Sequence, residues 1–101
     1  MNTQVARTIL HQLQYGKTYC GTRGGLAMIC WGVRCMKYTD TGLTFRVSGA
    51  KIKGHVAIEY LAGSDLYDVK IYNTHLTLKE HVKNVYYHDL VTLIDNEIAE
   101  V

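Results

Sequence analysis

Two helical stripes bracket a series of alternating runs in this chain. Val5, Ile9, Leu10 and Leu13 return at helical spacing near the start, which predicts an amphipathic helix with one apolar face. Asn2 or Thr3 is the expected cap, because a short polar side chain can accept from the free N–H groups of a first turn. Gly16 is the expected stop, being free to adopt the left-handed conformation. Leu90, Leu93, Ile94 and Ile98 form the second stripe, with Asp89, Asp95, Glu97 and Glu100 on the wet side. The closing helix is expected to begin near Tyr86–His88.

Between the stripes the pattern belongs to strands. Leu26–Trp31 is a short apolar run suited to a buried strand, which Val33–Tyr38 continues past a bulge at Gly32. Thr39-Asp40-Thr41-Gly42 is turn chemistry. Leu43, Phe45 and Val47 alternate with Thr44, Arg46 and Ser48, the mark of a strand with one wet face. Ser48–Gly54 reads as a turn or loop carrying Lys51 and Lys53. In His55–Leu61, Val56, Ile58 and Tyr60 oppose Ala57, Glu59 and Leu61; in Leu66–Tyr72, Tyr67, Val69 and Ile71 oppose Asp68 and Lys70, and the link at 62–65 makes the two a hairpin or meander. Residues 74–85 support two readings. Thr77-Leu78-Lys79-Glu80 matches a helix capping box, whereas the even spacing of Leu76, Leu78 and Val82 predicts a short strand near 75–80. The expected fold is α+β: one domain over 1–101, an antiparallel sheet of four to five strands with an N-terminal and a C-terminal helix packed on it.

Composition narrows the class. Across 101 residues, 48% are apolar and 20% charged, ordinary values for a globular chain and too apolar for a disordered one. No apolar run approaches the length of a membrane span. The start carries no basic cluster followed by an apolar stretch, so we expect no secretion signal and a cytoplasmic location. Three cysteines, Cys20, Cys30 and Cys35, fit free thiols in a reducing compartment. The net charge of +2 conceals an asymmetry. Residues 1–55 hold eight basic side chains and one acid, and residues 56–101 hold three basic and eight acidic ones. Such asymmetry hints at a polyanionic or charge-guided partner. The competing reading is that the halves interleave in one small sheet and their charges average out.

Catalytic and metal motifs are not persuasive. Structural zinc sites bring close ligand pairs, but four residues separate Cys30 from Cys35 and nine separate Cys20 from Cys30. A cysteine nucleophile needs a base beside a thiol of lowered pKa, and no residues flanking these cysteines match a protease pattern. Asp65 and Asp68 are close in sequence, but they belong to a turn and a wet strand face. Gly21-Thr22-Arg23-Gly24-Gly25 is glycine-rich without the Gly-Lys-Ser/Thr of a phosphate loop. We therefore expect no catalytic residue, no enzyme activity, no metal site and no cofactor.

The remaining set is basic with aromatic interleaving. Tyr15, Lys17, Tyr19, Arg23, Trp31, Arg34, Lys37, Tyr38, Arg46, Lys51 and Lys53 all lie in the first 53 positions. Cations for phosphates and rings for bases make a single-stranded nucleic-acid surface. Tyrosine, eight of which occur here, equally suits a protein interface or the edge of a core short of Phe. The candidate partner-binding residues are Arg23, Arg34, Lys37, Tyr38, Arg46, Lys51 and Lys53.

The chain also resembles a set of short proteins encoded by phages and prophages. The likeness runs through Ala6-Arg7-Thr8-Ile9-Leu10 with Gln12-Leu13, Leu26-Ala27-Met28 with Gly32, Leu43 and Phe45, Val56, Ile58 and Leu61, Tyr67-Asp68-Val69, and Val85-Tyr86 with Leu90. It departs from the pattern in its three cysteines, Trp31 and the extra residues between Gly16 and Gly25. The resemblance implies an origin on a mobile element and a role inside an infected bacterium, and it transfers no functional residue. Together these readings predict a non-catalytic binder of a host protein or ribonucleoprotein complex, with inhibition of a bacterial defence (CRISPR-Cas) complex as the sharpest version. The alternative is a single-stranded nucleic-acid-binding accessory factor. Neither involves a membrane, and a homodimer is compatible with both.

Overall fold

The computed structural model describes residues 4–16, 28–29, 31–49 and 53–98. An N-terminal helix, α1 (Gln4–Tyr15), is followed by five strands: β1 (Arg34–Tyr38), β2 (Gly42–Ser48), β3 (Lys53–Leu61), β4 (Leu66–Asn73) and β5 (Leu78–Val85). A short 3-10 turn (Tyr87–Asp89) leads into α2 (Leu90–Ile98). The strands form one antiparallel sheet in the order β1-β2-β3-β4-β5, each beside its neighbour in sequence. This is the expected α+β architecture, at the upper end of its strand count.

Alternation decides which face the helices cover. Leu43, Phe45 and Val47 of β2, Val56 and Ile58 of β3, and Tyr67, Val69 and Ile71 of β4 are buried in one core. Ala6, Ile9 and Leu13 of α1 and Leu90, Val91 and Ile94 of α2 close over them. Trp31 is fully buried in the same core, and its Nε1 donates to Asp95 Oδ1 at 2.9 Å. That bond ties the segment before the sheet to α2, and it gives a buried indole N–H the partner it would otherwise lack at a cost of about 1–3 kcal/mol. Asp95, expected on the wet side, is thus partly buried for a reason.

Several expectations need correcting. Met28, Ile29 and Trp31 are helical, not extended. Gly32 is no strand bulge: it sits at φ +65 and ends a helical turn. Its N–H donates to Ile29 O at 3.1 Å, and that of Val33 donates to Met28 O at 3.3 Å. This nested pair is the Schellman closure that a left-handed glycine allows. An apolar run of six residues fits a buried helical turn as well as a strand, and only the glycine's conformation separates them. Gly16 does end α1, but not in the left-handed region. A side chain there would meet Val91 Cγ2 at 2.7 Å, so the glycine serves close packing against α2.

β3 begins at Lys53, so this residue belongs to the sheet and not to the preceding loop. β5 runs to Val85, beyond the expected 75–80. The capping box at Thr77 does not open a helix. Asn73 Oδ1 accepts from the N–H groups of His75 and Thr77, and the N–H of Asn73 donates to Thr77 O. The hairpin turn therefore occupies the backbone groups a helix start would need. The expected cap at Asn2 or Thr3, the glycine-rich stretch 17–25, Cys20 and Cys30 lie outside the described residues. Among the described residues, no helix is long and apolar enough to cross a membrane.

Candidate binding face

Because partners across a ladder share a face, the register fixes what lies on the side of the sheet away from the helices. Arg34 pairs with Arg46, Arg46 with His55, and His55 with Tyr72. These four residues form one row across β1 to β4, about 14 Å long at the usual strand spacing. A second row holds Lys37, Thr44, Ala57, Lys70 and His81. Ser48 faces Lys53 at the end of the sheet where β3 begins, and Glu59 faces Asp68 toward the other end. Arg34, Arg46 and Lys53 thus lie toward one end of the open face, Lys37 and Lys70 in the row between, and the carboxylates of Glu59 and Asp68 toward the other end.

Two clefts lie at the basic end. One, of about 180 Å³, is lined by Arg34, Arg46 and Lys53 with Ser48, Gly54 and Thr74 among its walls. The other, of about 340 Å³, is lined by Cys35, Lys37, Arg46 and His55 with Thr44 and Phe45. Among the described residues, no carboxylate lines either cleft. The bulge in β1 between Arg34 and Lys37 lets both cations reach the open side, and Cys35 takes φ 54 within it. Further along, His81 Nε2 and Asp68 Oδ1 are 2.6 Å apart, a half-buried brace between β4 and β5. Asp68 is therefore engaged by its neighbouring strand.

Of the candidate residues, Arg34, Lys37, Arg46 and Lys53 come together on this face. Tyr38 does not join them: it pairs with Leu43 and so falls on the helix-covered side, at the sheet edge and 37% exposed. Arg23 and Lys51 lie outside the described residues. The composition argument missed His55, Lys70, Tyr72, Ser48 and Thr74. Parity along β3 and β4 carries the signal for the first three, since each sits an even number of positions from a wet residue.

A second feature occupies the helical side. The end of α1 meets the 3-10 turn around a cleft of about 400 Å³ lined by His11, Tyr15, Tyr87 and His88. His11 stacks near Tyr15 with ring centroids 4.5 Å apart, and His88 lies between Tyr86 and Tyr87 at 5.5 and 5.3 Å. Tyr15, Tyr86 and Tyr87 remain 61%, 56% and 59% exposed. Nearby, burial pushes the Tyr67 hydroxyl pKa up, partly offset by a hydrogen bond from the Gln12 side chain. The Tyr60 hydroxyl is also raised, chiefly by donating to the Asp65 carboxylate.

Among the described residues, no group of three or more His, Cys, Asp or Glu is placed to hold a metal ion. Comparison of the chain with family models, with curated proteins and with solved structures gives no match. The fold and this face define an α+β domain with one side of its sheet sealed by helices and the other open and basic at one end.

Proposed function

We propose that this protein is a non-catalytic binding module that holds single-stranded nucleic acid on the open face of its sheet. The observation that carries the reading is the cation row continuing into rings: Arg34 and Arg46, then His55 and Tyr72, on neighbouring strands. Cations neutralise phosphates, and flat side chains on the same surface stack bases without regard to sequence. An extended strand is the ligand that meets such a row, because an exposed sheet face offers a broad surface and no enclosed pocket. We place that role in an infected bacterium, the setting that the resemblance to phage and prophage proteins implies.

Anisotropy of a labelled single-stranded oligonucleotide tests this. Binding in the micromolar range is expected at low salt, weakening steeply as salt rises. The double variant Arg34→Glu, Arg46→Glu should lose at least about tenfold in affinity through like-charge repulsion of the phosphates. Absence of binding at low salt overturns the reading.

A second reading is favoured by the exposed rings at the helical end. Tyr15, Tyr86 and Tyr87 around the cleft with His11 and His88 have the rigid, half-polar character of a protein-binding surface. On that reading the protein captures a host protein or ribonucleoprotein, and blocking a bacterial defence complex is one form of it. Loss of capture from host lysate on substituting Tyr15 and Tyr87 with Ser, with capture intact in the double Glu variant, would favour it.

A further inference from the structure

The cleft at the basic corner of the sheet is more specific than a charged surface requires. Arg34 opens β1, Ser48 ends β2, Lys53 opens β3 and Thr74 follows β4, so four elements converge on a space of about 180 Å³. With Arg46, three of the described lining side chains are cations, two are hydroxyls, and none is acidic. Pockets that enclose whole small ligands usually measure about 300–1,000 Å³. This one is sized for a phosphate group, with a base and sugar left outside.

Charge and valence then separate two kinds of phosphate. A phosphodiester within a strand carries one negative charge and two free oxygens. A phosphate monoester carries about −1.5 to −2 at neutral pH and three free acceptor oxygens. Three convergent cations match the second, with charge-assisted hydrogen bonds available to each oxygen. The position fits as well. The cleft lies at the end of the sheet, and His55 and Tyr72 begin immediately inward, two positions along β3 from Lys53 and across from it on β4.

We infer that this corner binds the terminal phosphate of a nucleic-acid strand, whose first bases then lie over His55 and Tyr72. The inference rests on the nucleic-acid reading above and adds recognition of a phosphorylated end. It makes the protein a reader of strand ends, such as those a nuclease leaves.

The test uses four oligonucleotides of one sequence: unphosphorylated, 5′-phosphorylated, 3′-phosphorylated and phosphorylated at both ends. A phosphoserine peptide and inorganic phosphate serve as competitors. A preference of about tenfold or more for one phosphorylated end is expected, since a monoester in a three-cation site gains charge-assisted bonds that a hydroxyl end lacks. Lys53→Gln should reduce that ratio toward one while lowering the affinity for the unphosphorylated strand only a few-fold. Circular dichroism would confirm that this exposed substitution leaves the fold intact. Binding of all four strands with equal affinity overturns the inference and leaves the broader reading standing. Binding of none of them overturns both. Tight binding of the phosphopeptide without any end preference overturns it in favour of a phosphoprotein partner.

Discussion

Phe45 and Arg46 are neighbours in β2, yet they belong to different problems. Phe45 is 1% exposed beneath the helices, among residues whose burial holds the sheet to α1 and α2. Arg46 points the other way and meets Arg34, His55 and solvent-facing clefts. The same period-two alternation that builds the core lays out the charged face. One side of the sheet therefore provides stability and the other carries the interaction surface. This separation makes the two experimentally independent, because a substitution on either side should leave the other property nearly unchanged.

The largest effect that would break the comparison is on the covered side. Phe45→Ala should cost about 3–5 kcal/mol, the loss of a large buried ring plus the cavity it leaves. Arg46→Ala should change stability by no more than about 0.5 kcal/mol, as is usual for exposed positions. Urea unfolding of both variants checks this. An Arg46 variant as unstable as the Phe45 variant would mean that the open face is structural, and the division of labour would fail.

A smaller effect sharpens the comparison at high pH. Burial raises the pKa of Tyr67 in the folded protein. A group that holds its proton more tightly when folded stabilises the fold fully below its unfolded pKa, near 10 for tyrosine. That stability is lost as pH rises through the folded value. Stability should therefore fall above about pH 10, and Tyr67→Phe should make that fall shallower. Unfolding curves at pH 8 and pH 11 provide the measurement. An unchanged difference between the two pH values in Tyr67→Phe would show that Tyr67 is not the group responsible. Binding at pH 8 should be the same in both proteins, since Tyr67 lies beneath the sheet.

The sequence pattern revealed the covered face more readily than the open one. Alternation in β2, β3 and β4 and the two helical stripes report burial directly, so the layer order and most of the core follow from them. Leu26–Trp31 did not yield to this reasoning, because a six-residue apolar run has no period to read, and the helical turn seen at Met28, Ile29 and Trp31 closes on Gly32 at φ +65. The extent of β5 was hidden for another reason. Thr77-Leu78-Lys79-Glu80 is a sound helix start in isolation, and only the bonds from Asn73 across the turn override it. On the open face, clustering of positive charge pointed to Arg34, Lys37, Arg46 and Lys53 but placed Tyr38 with them. A one-residue offset in a strand reverses the face, so Tyr38 lies with Leu43 instead. His55 and Tyr72 lie beyond the first 53 positions and escaped a search confined to the stretch where cations and rings cluster. Parity along β3 and β4 puts both on the wet face, and the ladder sets one directly against the other.

The most direct test is to map amide chemical-shift changes while a 5′-phosphorylated single-stranded oligonucleotide is titrated into the protein. The account predicts that the largest changes fall on Arg34, Arg46, Lys53, His55 and Tyr72, with His11, Tyr15, Tyr87 and His88 nearly still. Changes concentrated around the helical-end rings, with the basic rows unmoved, would contradict it.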